Sequence, residues 1–374
     1  MKVLHLIDSG GLYGAEKMLL ALVAEQNAMG VEATICSVGL PRENEKPIES
    51  EANELGLPVI SWRMKAGINI LGALKILTWA REHGYLVLHS HGYKFNILMA
   101  LIPRFIRKLP IVATVHGYVN ASRYSKMWIY EMLDQWALKH LDQVCVVSTP
   151  MLSMKFAIPI PNSKLNCITN GISVSLDVQQ MNDDIIEFRN KVSFCFCAIG
   201  RLSPEKGFDD LILAFSNLMK INNSLKSKLG LVILGEGYME QKLLDLIQNE
   251  ELSEQVLLAG YQKNAGATLK NFDALVMPSR TEGLPITLLE AMRAKCPIIA
   301  NKVGGISSVV NEDSAYLLQD GDIEQLSLAM ENIAKSDLEA IQKSEQAFLD
   351  FKNSFSAGPM AVKYLDVYYK LNVE

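Results

Sequence analysis

The sequence predicts an α/β protein with two domains, each a parallel β-sheet covered by helices. At 374 residues the chain is too long for one ordinary hydrophobic core. Short apolar runs alternate with helical stretches through both halves, an order typical of parallel sheets. Residues 173–191 are polar and have no clear period, which indicates a connection. We therefore expect an N-terminal domain over residues 1–175, a linker over 176–191 and a C-terminal domain over 192–355.

In the first half, seven apolar runs predict strands and four longer periodic stretches predict helices. The strands are expected near residues 3–7, 32–37, 59–61, 86–89, 111–115, 143–147 and 164–168. The helices are expected over residues 15–29, 70–83, 94–106 and 124–140. In the second half, strands are expected near residues 193–199, 231–234, 256–259, 274–277 and 297–300. Helices are expected there over residues 208–220, 239–248 and 284–294.

Residues 279–290 carry the clearest chemical signal. Seven residues separate two carboxylates, Glu282 and Glu290, and Gly283 follows the first. A buried strand precedes this segment and a helix from residue 284 follows it, with Pro285 in the first turn, where its missing N–H costs nothing. We expect Glu282 beside the partial positive charge of a helix N-terminus and Glu290 one to two turns inside. A site for an anion and hydroxyl groups suits a nucleotide-sugar.

Two cations follow the first strand of the second half. Arg201 offers a planar guanidinium and Lys206 a compact ammonium, a pairing that suits a diphosphate. The alternative, that both cations only cap neighbouring helices, remains open on these residues alone. The next strand ends in Gly235-Glu236-Gly237, which resembles a dinucleotide fingerprint without its third glycine.

Two further candidates lie in the first half. Gly11 and Gly14 belong to a glycine-rich turn before a helix, where the backbone can approach a phosphate or a sugar. A plain turn without a ligand is the alternative. His116 follows the strand at residues 111–115, at the sheet edge where such folds bind ligands. An ordinary surface or core histidine is the alternative there.

Charge and composition narrow the class of partner. The net charge is −5, yet residues 1–180 carry 17 Lys/Arg against 14 Asp/Glu, while residues 181–374 carry 19 against 27. The segment 94–126 has no acidic residue and contains Lys94, Arg104, Arg107, Lys108, Arg123 and Lys126. It predicts either a solvated basic face or attraction to an anionic membrane or a phosphorylated acceptor. The negative total charge and the lack of a recognised module argue against nucleic acid.

Other features indicate a cytoplasmic protein, with possible peripheral contact with the inner face of the cell membrane. The six cysteines lie mostly in apolar runs, with spacings that suit neither zinc nor a disulfide framework. No run approaches the roughly 18 uncharged apolar residues of a membrane span. The N-terminal residues read as a first strand rather than a secretory signal.

In order and spacing, these motifs resemble a retaining glycosyltransferase of the GT-B fold, family 4 (glycosyl transferases group 1). The matching residues are Gly200-Arg201-Leu202, Glu205-Lys206-Gly207, Gly235-Glu236-Gly237, Pro278-Ser279, Glu282-Gly283, Leu289-Glu290-Ala291-Met292 and Gly304-Gly305. The resemblance implies two Rossmann-like domains facing across a central cleft. It also implies a C-terminal helix, here within residues 356–374, that crosses back to the N-terminal domain.

The resemblance assigns roles in the C-terminal domain first. It implies that Arg201 and Lys206 neutralise the donor diphosphate. Glu282 would meet hydroxyls of the transferred sugar, and Glu290 would bind the nucleotide ribose. Three positions depart from the family pattern, namely residues 293–295, Ser308 and the longer N-terminal turn, and they leave fine positioning and sugar identity open.

The remaining roles concern backbone groups and the N-terminal domain. Amides at Gly283 and Leu284 would face the sugar and phosphates. His116 would hydrogen-bond the sugar from the N-terminal domain, and Gly11 or Gly14 would pass close to the phosphate.

The expected function is the transfer of a sugar from a nucleotide-diphosphate-sugar, UDP- or GDP-linked, to a hydroxyl of a glycan or glycolipid acceptor. The resemblance implies that a donor phosphate takes the acceptor proton on the face from which it departs, so the reaction is retaining. No Asp-x-Asp motif stands where a metal-dependent transferase would have one, so we expect no metal and no cofactor. Cell-surface polysaccharide or lipopolysaccharide biosynthesis is the expected setting. The alternatives are a nucleotide-sugar epimerase on the same fold and a catalytically inactive nucleotide-sugar-binding homologue.

Overall fold

The computed structural model describes residues 1–8, 10–117, 123–174, 181–221, 228–335 and 337–371. The chain forms two compact units: unit 1 comprises Met1–Ser173 with Ser354–Glu374, and unit 2 comprises Val174–Asn353. Each unit is built on its own parallel sheet, which confirms the predicted α/β class.

Among the described residues, the sheet of unit 1 has seven strands in the order β3-β2-β1-β4-β5-β6-β7, all parallel. Their bounds are β1 (Lys2–Ile7), β2 (Glu32–Gly39), β3 (Val59–Arg63), β4 (Val87–Ser90), β5 (Ile111–Val115), β6 (Gln143–Val146) and β7 (Leu165–Cys167). The strand order reverses between β1 and β4, the position at which open α/β sheets bind ligands beyond their carboxyl ends.

Helices connect these strands in sequence. They are α1 (Gly14–Ala28), α2 (Pro47–Glu54), α3 (Ile70–Glu82), α4 (Tyr93–Leu101), α5 (Arg104–Arg107) and α6 (Lys126–Leu138).

The sheet of unit 2, within the described part of the chain, has six strands in the order β10-β9-β8-β11-β12-β13. The strands are β8 (Phe194–Ile199), β9 (Leu229–Leu234), β10 (Val256–Leu258), β11 (Ala274–Met277), β12 (Ile298–Asn301) and β13 (Tyr316–Leu318). The helices are α7 (Asp183–Asn190), α8 (Phe208–Ile221), α9 (Glu240–Asn249), α10 (Ile286–Arg293), α11 (Ile323–Lys335) and α12 (Asp337–Asp350). Here too the order reverses, between β8 and β11.

The last helix, α13 (Ala357–Tyr369), belongs to unit 1 and packs against α1. Met360, Tyr364 and Tyr368 are buried there in one cluster with Val3, Ile7, Val87 and Val112. The opposite face of the same sheet is covered by a second cluster, which includes Leu4, Leu6, Leu88 and Ile111. Because side chains alternate along a strand, β1 supplies Val3, His5 and Ile7 to the face that α13 covers.

The structure differs from the sequence predictions at two prolines. The helix expected over residues 94–106 is two helices, because Pro103 lies at the N-cap of α5 and Ile102 before it is extended. The helix expected from residue 284 begins at Ile286, since Pro285 is its N-cap with ψ 119° rather than a first-turn residue.

Other elements were not predicted. They are α2, α11, α12 and β13. The segment 176–191, expected as a linker, contains α7, whose Arg189 pairs with Asp273 at 2.8 Å in unit 2. Residues 176–180 of that segment lie outside the described residues.

The cysteines are free thiols, five of them buried. Burial raises the pKa of the Cys36, Cys195 and Cys296 thiols to about 12, so they behave as core residues. None of the described helices is long and apolar enough to cross a membrane.

Candidate functional site

The candidate site of unit 2 lies where β8 and β11 end. After β8 the chain forms the loop 200–207, with a short 3-10 helix at Pro204–Lys206, and after β11 it runs through residues 278–285 into α10. Arg280 joins the two loops, because its backbone N–H donates to Glu205 O at 2.9 Å and its guanidinium pairs with Asp209 and Asp210. The two segments that the motifs singled out are therefore neighbours.

At this junction Lys206 and Glu282 form an ion pair. Lys206 Nζ lies 2.5 Å from Glu282 Oε1, and Ser279 Oγ donates to the same oxygen at 2.7 Å. Nine per cent of the Glu282 side chain and 23% of the Lys206 side chain are exposed. The pair is thus desolvated on one side and open on the other, so a ligand can reach both groups.

Glycines set the shape of this site by close backbone contacts. A Cβ at Gly304 would lie 1.9 Å from Glu282 O, and one at Gly305 would lie 1.9 Å from Gly283 O. Gly304 also has a left-handed φ of 51°. The glycine pair therefore packs directly on the backbone that carries Glu282, which no larger residue allows.

Close backbone contacts at glycines also fix the loop after β8. Gly207 has a φ of 65°, and a Cβ there would lie 2.2 Å from Pro278 O. Gly235 approaches Gly200 O and Gly237 approaches Leu202 O in the same way. The incomplete fingerprint Gly235-Glu236-Gly237 thus has a packing role in unit 2.

Arg201 is exposed on this loop, close in sequence to Lys206. Leu202 beside it is buried and held by two backbone hydrogen bonds, to Glu236 O at 3.0 Å and from Met239 N at 3.1 Å. A hydrogen bond from Ser203 lowers the pKa of the Glu205 carboxyl. The loop is therefore rigid at its base, and the Arg201 side chain lies at its surface.

Gly283 and Leu284 form the open edge of the site. Gly283 is exposed, and among the described residues nothing lies within 4 Å of a Cβ built there. Both residues precede the N-cap of α10, so their backbone groups lie near the positive end of that helix.

Glu290 lies inside α10 and is buried. Its carboxylate packs on Gly266, where a Cβ would lie 2.0 Å from Glu290 Cδ. Gly266 belongs to the 3-10 helix Ala265–Asn271, a contact that the sequence motifs did not reveal. No motif marked this contact, because Gly266 lies in a separate turn before β11.

Asn301 is a second residue that the sequence interpretation missed. It is buried at the end of β12, and its Nδ2 donates to Pro278 O at 3.0 Å and Ser279 O at 3.3 Å. Asn301 therefore fixes the turn that leads to Glu282.

In unit 1, Gly14 begins α1 and Gly11 lies in the turn before it. A Cβ at Gly11 would lie 2.6 Å from the Tyr13 ring. Glu16 accepts a hydrogen bond from Tyr13 N at 2.9 Å, which caps the helix. Ser9 of this turn lies outside the described residues.

His116 follows β5 in unit 1, as expected, and its ring stacks against His91, which in turn contacts His5 and His89. His91 Nδ1 lies 3.4 Å from His116 Nε2, and His5 Nδ1 lies 3.0 Å from His91 Nε2. Desolvation lowers the pKa of His5 and His116 to about 4, and that of His89 and His91 well below the ordinary value. The sequence interpretation missed the other three histidines, because they come from strands far apart in the chain.

A pocket of about 520 Å³ opens at the same edge of unit 1, outside β1, β2, β3 and β4. Three lysines line it, Lys46, Lys94 and Lys126, together with the carboxylates Asp8 and Glu43. Asp8 pairs with Lys46 at 3.3 Å and with Lys94 at 2.7 Å.

Fewer cations of the basic segment 94–126 are free to bind an anionic partner than the sequence suggested. Arg107 is buried and pairs with Asp142 at 2.6 Å, and Arg104 pairs with the same carboxylate. Asp142 also accepts from Ile111 N, so these arginines hold the start of β5. Lys108, Arg123 and Lys126 are the exposed cations of the segment's described part that have no such pairing. Residues 118–122 lie outside the described residues.

Two Rossmann-like units, each built on a parallel sheet whose strand order reverses once, give the chain the GT-B fold of the glycosyltransferases. The family model "Glycosyltransferase Family 4" matches residues 13–176, and the model "Glycosyl transferases group 1" matches residues 181–348. The chain belongs to the family 4 glycosyltransferases.

Curated relatives and solved structures agree with this assignment. The chain is 27% identical over 271 residues to the UDP-Gal:alpha-D-GlcNAc-diphosphoundecaprenol alpha-1,3-galactosyltransferase of Escherichia coli, covering 70% of this chain and 68% of the relative. It is 24% identical over 305 residues to the N-acetyl-alpha-D-glucosaminyl L-malate synthase of Bacillus anthracis, covering 79% and 78%. The crystal structure of Anabaena HepE with UDP superposes with a TM-score of 0.79 at 18% identity, covering 99% of this chain and all of HepE.

Proposed function

We propose that this protein is a retaining, metal-independent glycosyltransferase that moves a sugar from a nucleotide-diphosphate-sugar to a hydroxyl of a glycan or glycolipid in cell-surface polysaccharide biosynthesis. The observation that carries the proposal is the Lys206–Glu282 pair, 2.5 Å apart, beside the N-terminus of α10. It combines a cation for phosphate with a carboxylate for sugar hydroxyls in one partly open site.

The chemistry follows from these groups. As the diphosphate departs, negative charge grows on its oxygens, and Lys206, Arg201 and the α10 N-terminus stabilise that charge. Both protein donors meet Glu282 Oε1, so we assign Oε2 to a hydroxyl of the transferred sugar. Lys206 and Arg201 supply the positive charge that a metal ion supplies in metal-dependent transferases.

The retaining course also needs a base for the acceptor hydroxyl. We assign this role to a phosphate oxygen of the leaving group, on the face from which the diphosphate departs. His116, neutral at pH 7, binds a sugar hydroxyl in this scheme, and Glu290 binds the ribose. Gly283, Leu284 and Gly11 or Gly14 offer backbone close to the phosphates.

Uridine diphosphate is the donor nucleotide that the relatives favour. The E. coli galactosyltransferase is named for UDP-Gal, and HepE was solved with UDP and with UDP-glucose. A guanosine diphosphate donor has no comparable support.

The acceptor is proposed to carry an anionic group. The names of two relatives specify such acceptors, a diphosphoundecaprenol-linked sugar and L-malate. The unit 1 pocket has the matching charge, since three lysines there face two carboxylates. Replacing Lys126 by alanine should raise the KM for a phosphorylated acceptor about tenfold, a charge-assisted hydrogen bond being worth about 1.5–3 kcal/mol. An unchanged KM would exclude Lys126 from the acceptor site. Lys139→Ala is the control, because Lys139 is the exposed C-cap of α6 and does not line the pocket.

Contact with an anionic membrane is proposed through Lys108, Arg123 and Lys126 only. Each cation near such a surface contributes about 1 kcal/mol at low salt. Replacing the three by glutamine should weaken sedimentation with phosphatidylglycerol vesicles, and undiminished sedimentation would remove membrane docking from the proposal.

The central experiment combines donor binding with transfer. Wild-type protein should bind UDP by calorimetry, and Lys206→Ala should raise the Kd more than tenfold and lower transfer by about 10²–10³-fold. Lys242→Ala is the matched control, because its side chain is 68% exposed and lies 3.7 Å from Asp209.

Transfer in the presence of EDTA, with the product's anomeric configuration read by NMR, tests the other two claims. A product with the donor's configuration is expected, and loss of activity in EDTA would overturn metal independence. Release of free sugar without acceptor would indicate an epimerase, and UDP binding without turnover would indicate an inactive homologue.

A further inference from the structure

A line of buried polar side chains crosses the face of the unit 1 sheet that α13 covers. His5 and His89 are paired neighbours on β1 and β4, and His91 follows β4 on the same side. All three are buried, with His5 and His89 fully so. Buried imidazoles need hydrogen-bond partners, so their connections can be traced.

The contacts form one continuous line from α13 to His116. Tyr368 OH lies 3.2 Å from Gln26 Nε2, and Gln26 Oε1 lies 2.8 Å from His5 Nε2. His5 Nδ1 lies 3.0 Å from His91 Nε2, and His91 Nδ1 lies 3.4 Å from His116 Nε2. We call Tyr368, Gln26, His5, His91 and His116 the histidine relay.

Each neutral imidazole has one N–H donor and one acceptor nitrogen, so the relay has two self-consistent proton orders. With the Gln26 carbonyl facing His5, His5 donates from Nε2, His91 donates from Nε2 to His5, and His116 donates from Nε2 to His91. Turning the Gln26 amide over reverses every link. A single amide therefore selects the tautomer of His116 through two intervening rings.

The end of the relay decides between these orders. His116 Nδ1 is buried and has no hydrogen-bond partner among the described residues. In the first order this nitrogen is a bare lone pair, and in the reversed order it is a bare N–H. A buried donor without a partner is the rarer and costlier of the two, so the first order is favoured independently of how the amide is assigned.

Burial keeps these rings neutral. Desolvation lowers the pKa of His5 and His116 to about 4 and that of His91 well below its ordinary value. A positive charge anywhere in the relay would turn an acceptor nitrogen into a donor and break a link. Near pH 7 the relay therefore acts through tautomers rather than through charge.

A branch at Tyr368 is separate from this route. Tyr368 OH lies 2.6 Å from His89 Nδ1, His89 Nε2 lies 2.8 Å from Thr114 Oγ1, and Thr114 Oγ1 lies 2.9 Å from Tyr364 OH. Removing its far end leaves every link to His116 in place, which provides a control.

The same histidines are close enough to raise the question of a metal ion. One ligand atom from each of His5, His89 and His91 lies within 4.8 Å of the others. Zinc at about 2.0–2.1 Å would need an unprotonated nitrogen from each ring aimed at one point. Both nitrogens of His89 face Tyr368 and Thr114, and His5 and His91 face each other, so a hydrogen-bonded network explains the cluster better.

We propose that Gln26, His5 and His91 are positioning residues that hold His116 as the Nε2-protonated neutral tautomer, with Nδ1 as an acceptor for a ligand hydroxyl. The effect on sugar transfer rests on the function proposed above, whereas the tautomer itself does not. Tyr368 anchors the relay, so the C-terminal helix contributes to the state of a residue at the opposite end of this line.

The test reads the tautomer directly, by ¹⁵N chemical shifts of the histidine rings in the whole protein at pH 7. The expected result is a protonated Nε2 and an unprotonated Nδ1 at His116, with the same order at His5 and His91. A His116 protonated at Nδ1, or an even mixture, overturns the proposal without any variant. Zinc titration that shifts the His5, His89 and His91 signals together would show a metal site in place of the relay.

Variants test the route. Gln26→Met removes the group that sets the order and should give a mixed tautomer at His116, with kcat lowered about tenfold for the loss of one aligned hydrogen bond. The Kd for UDP should stay unchanged, because the nucleotide site lies in unit 2. Tyr364→Phe on the branch should keep the wild-type His116 shifts, because it leaves every link of the relay in place.

The outcomes separate the two proposals. A wild-type His116 signal in Gln26→Met shows that the amide does not act through the relay and overturns it. If Gln26→Met does not fold, altered His116 shifts in Tyr364→Phe have the same consequence. The predicted tautomers in a protein without transferase activity would refute the proposed function and leave the relay standing.

Discussion

The two sheet edges that carry the candidate residues are built by opposite means. In unit 2, glycines let backbone pack on backbone, and one ion pair, Lys206 with Glu282, occupies the resulting loop. In unit 1, neutral imidazoles meet one another and the amide of Gln26, and the line ends at His116. One edge is shaped by short loops, and the other by strands distant in sequence.

This difference decides which residues can be found from sequence. The unit 2 loops are contiguous segments, so their glycines, cations and carboxylates appear as motifs with fixed spacing. The residues of the histidine relay are spread from His5 to Tyr368 and come together only through strand pairing and the return of α13. Topology rather than local pattern creates that network.

The largest expected effect breaks the unit 2 edge by steric means. Gly304→Ala must place a methyl group 1.9 Å from Glu282 O at a φ of 51°. Left-handed strain of about 1–2 kcal/mol adds to an overpacking cost of about 1–3 kcal/mol. We expect a stability loss of about 3 kcal/mol by urea unfolding, together with loss of UDP binding.

Gly84→Ala separates the two costs of that substitution. Gly84, in unit 1, has a φ of 74°, and nothing described lies within 4 Å of a Cβ there. It should lose only the strain, about 1 kcal/mol. Equal losses in the two variants would mean that the backbone contact at Glu282 is not what fixes the site.

The fold was predictable from periodicity to within a few residues at most strands, because buried parallel strands are short apolar runs. Pro103 and Pro285 caused the helix errors, since each moved a helix boundary that the apolar period alone could not locate. That the loops carrying Lys206 and Glu282 would lie together was predictable, because both follow strands of one parallel sheet, whose carboxyl ends share an edge. The burial of Arg107 against Asp142 was not, because the pairing joins α5 to the residue before β6.

The next effect compares two ion pairs, one in each unit. Glu49 in α2 binds Arg63 through two hydrogen bonds of 2.8 Å each, and 1% of its side chain is exposed. Glu49→Gln should cost about 3 kcal/mol of stability, as expected when one member of a buried pair is removed. Glu282→Gln should cost less, about 1 kcal/mol, because Lys206 makes one charge-assisted hydrogen bond to Glu282 where Arg63 makes two to Glu49. Transfer by the folded protein should show the reverse pattern, with a large loss only in Glu282→Gln.

The pH dependence of stability provides a second test of the Glu49–Arg63 ion pair. Burial alone would raise the pKa of Glu49, but several hydrogen bonds, that of Arg63 first among them and that of the Lys46 backbone included, together outweigh this and lower it to about 2. Its stabilising contribution is therefore complete above the unfolded pKa of about 4.3 and is lost as the pH falls through about 2. The difference in unfolding free energy between wild type and Glu49→Gln should shrink over that window. A difference independent of pH would show that the pair is not formed.

The smallest expected effect tests a difference between the two units. In unit 2 two donors hold the same oxygen of Glu282, whereas in unit 1 His116 is reached through a single series of hydrogen bonds. Ser279 and Lys206 both donate to Glu282 Oε1, at 2.7 and 2.5 Å, so Ser279→Ala leaves the carboxylate held by its stronger partner. We expect transfer to fall only about threefold, at the low end for one hydrogen bond, because Lys206 still holds the same oxygen. Ser344→Ala, at a buried serine that donates to Ile341 O in its own helix, should leave transfer unchanged.

If the two donors to Glu282 replace one another, the effects of removing them should not be additive. Among the described contacts, Ser279 is the remaining donor to Glu282 Oε1 once Lys206 is replaced by alanine. Adding Ser279→Ala to that variant should therefore lower transfer by a larger factor than Ser279→Ala does in the wild type. In the histidine relay each ring has one route to the next, so a single substitution at Gln26 already reaches His116. If the effects of the Ser279 and Lys206 substitutions are strictly additive, the two donors do not replace one another. The contacts of Glu282 would then resemble the links of the histidine relay, each of which is needed separately.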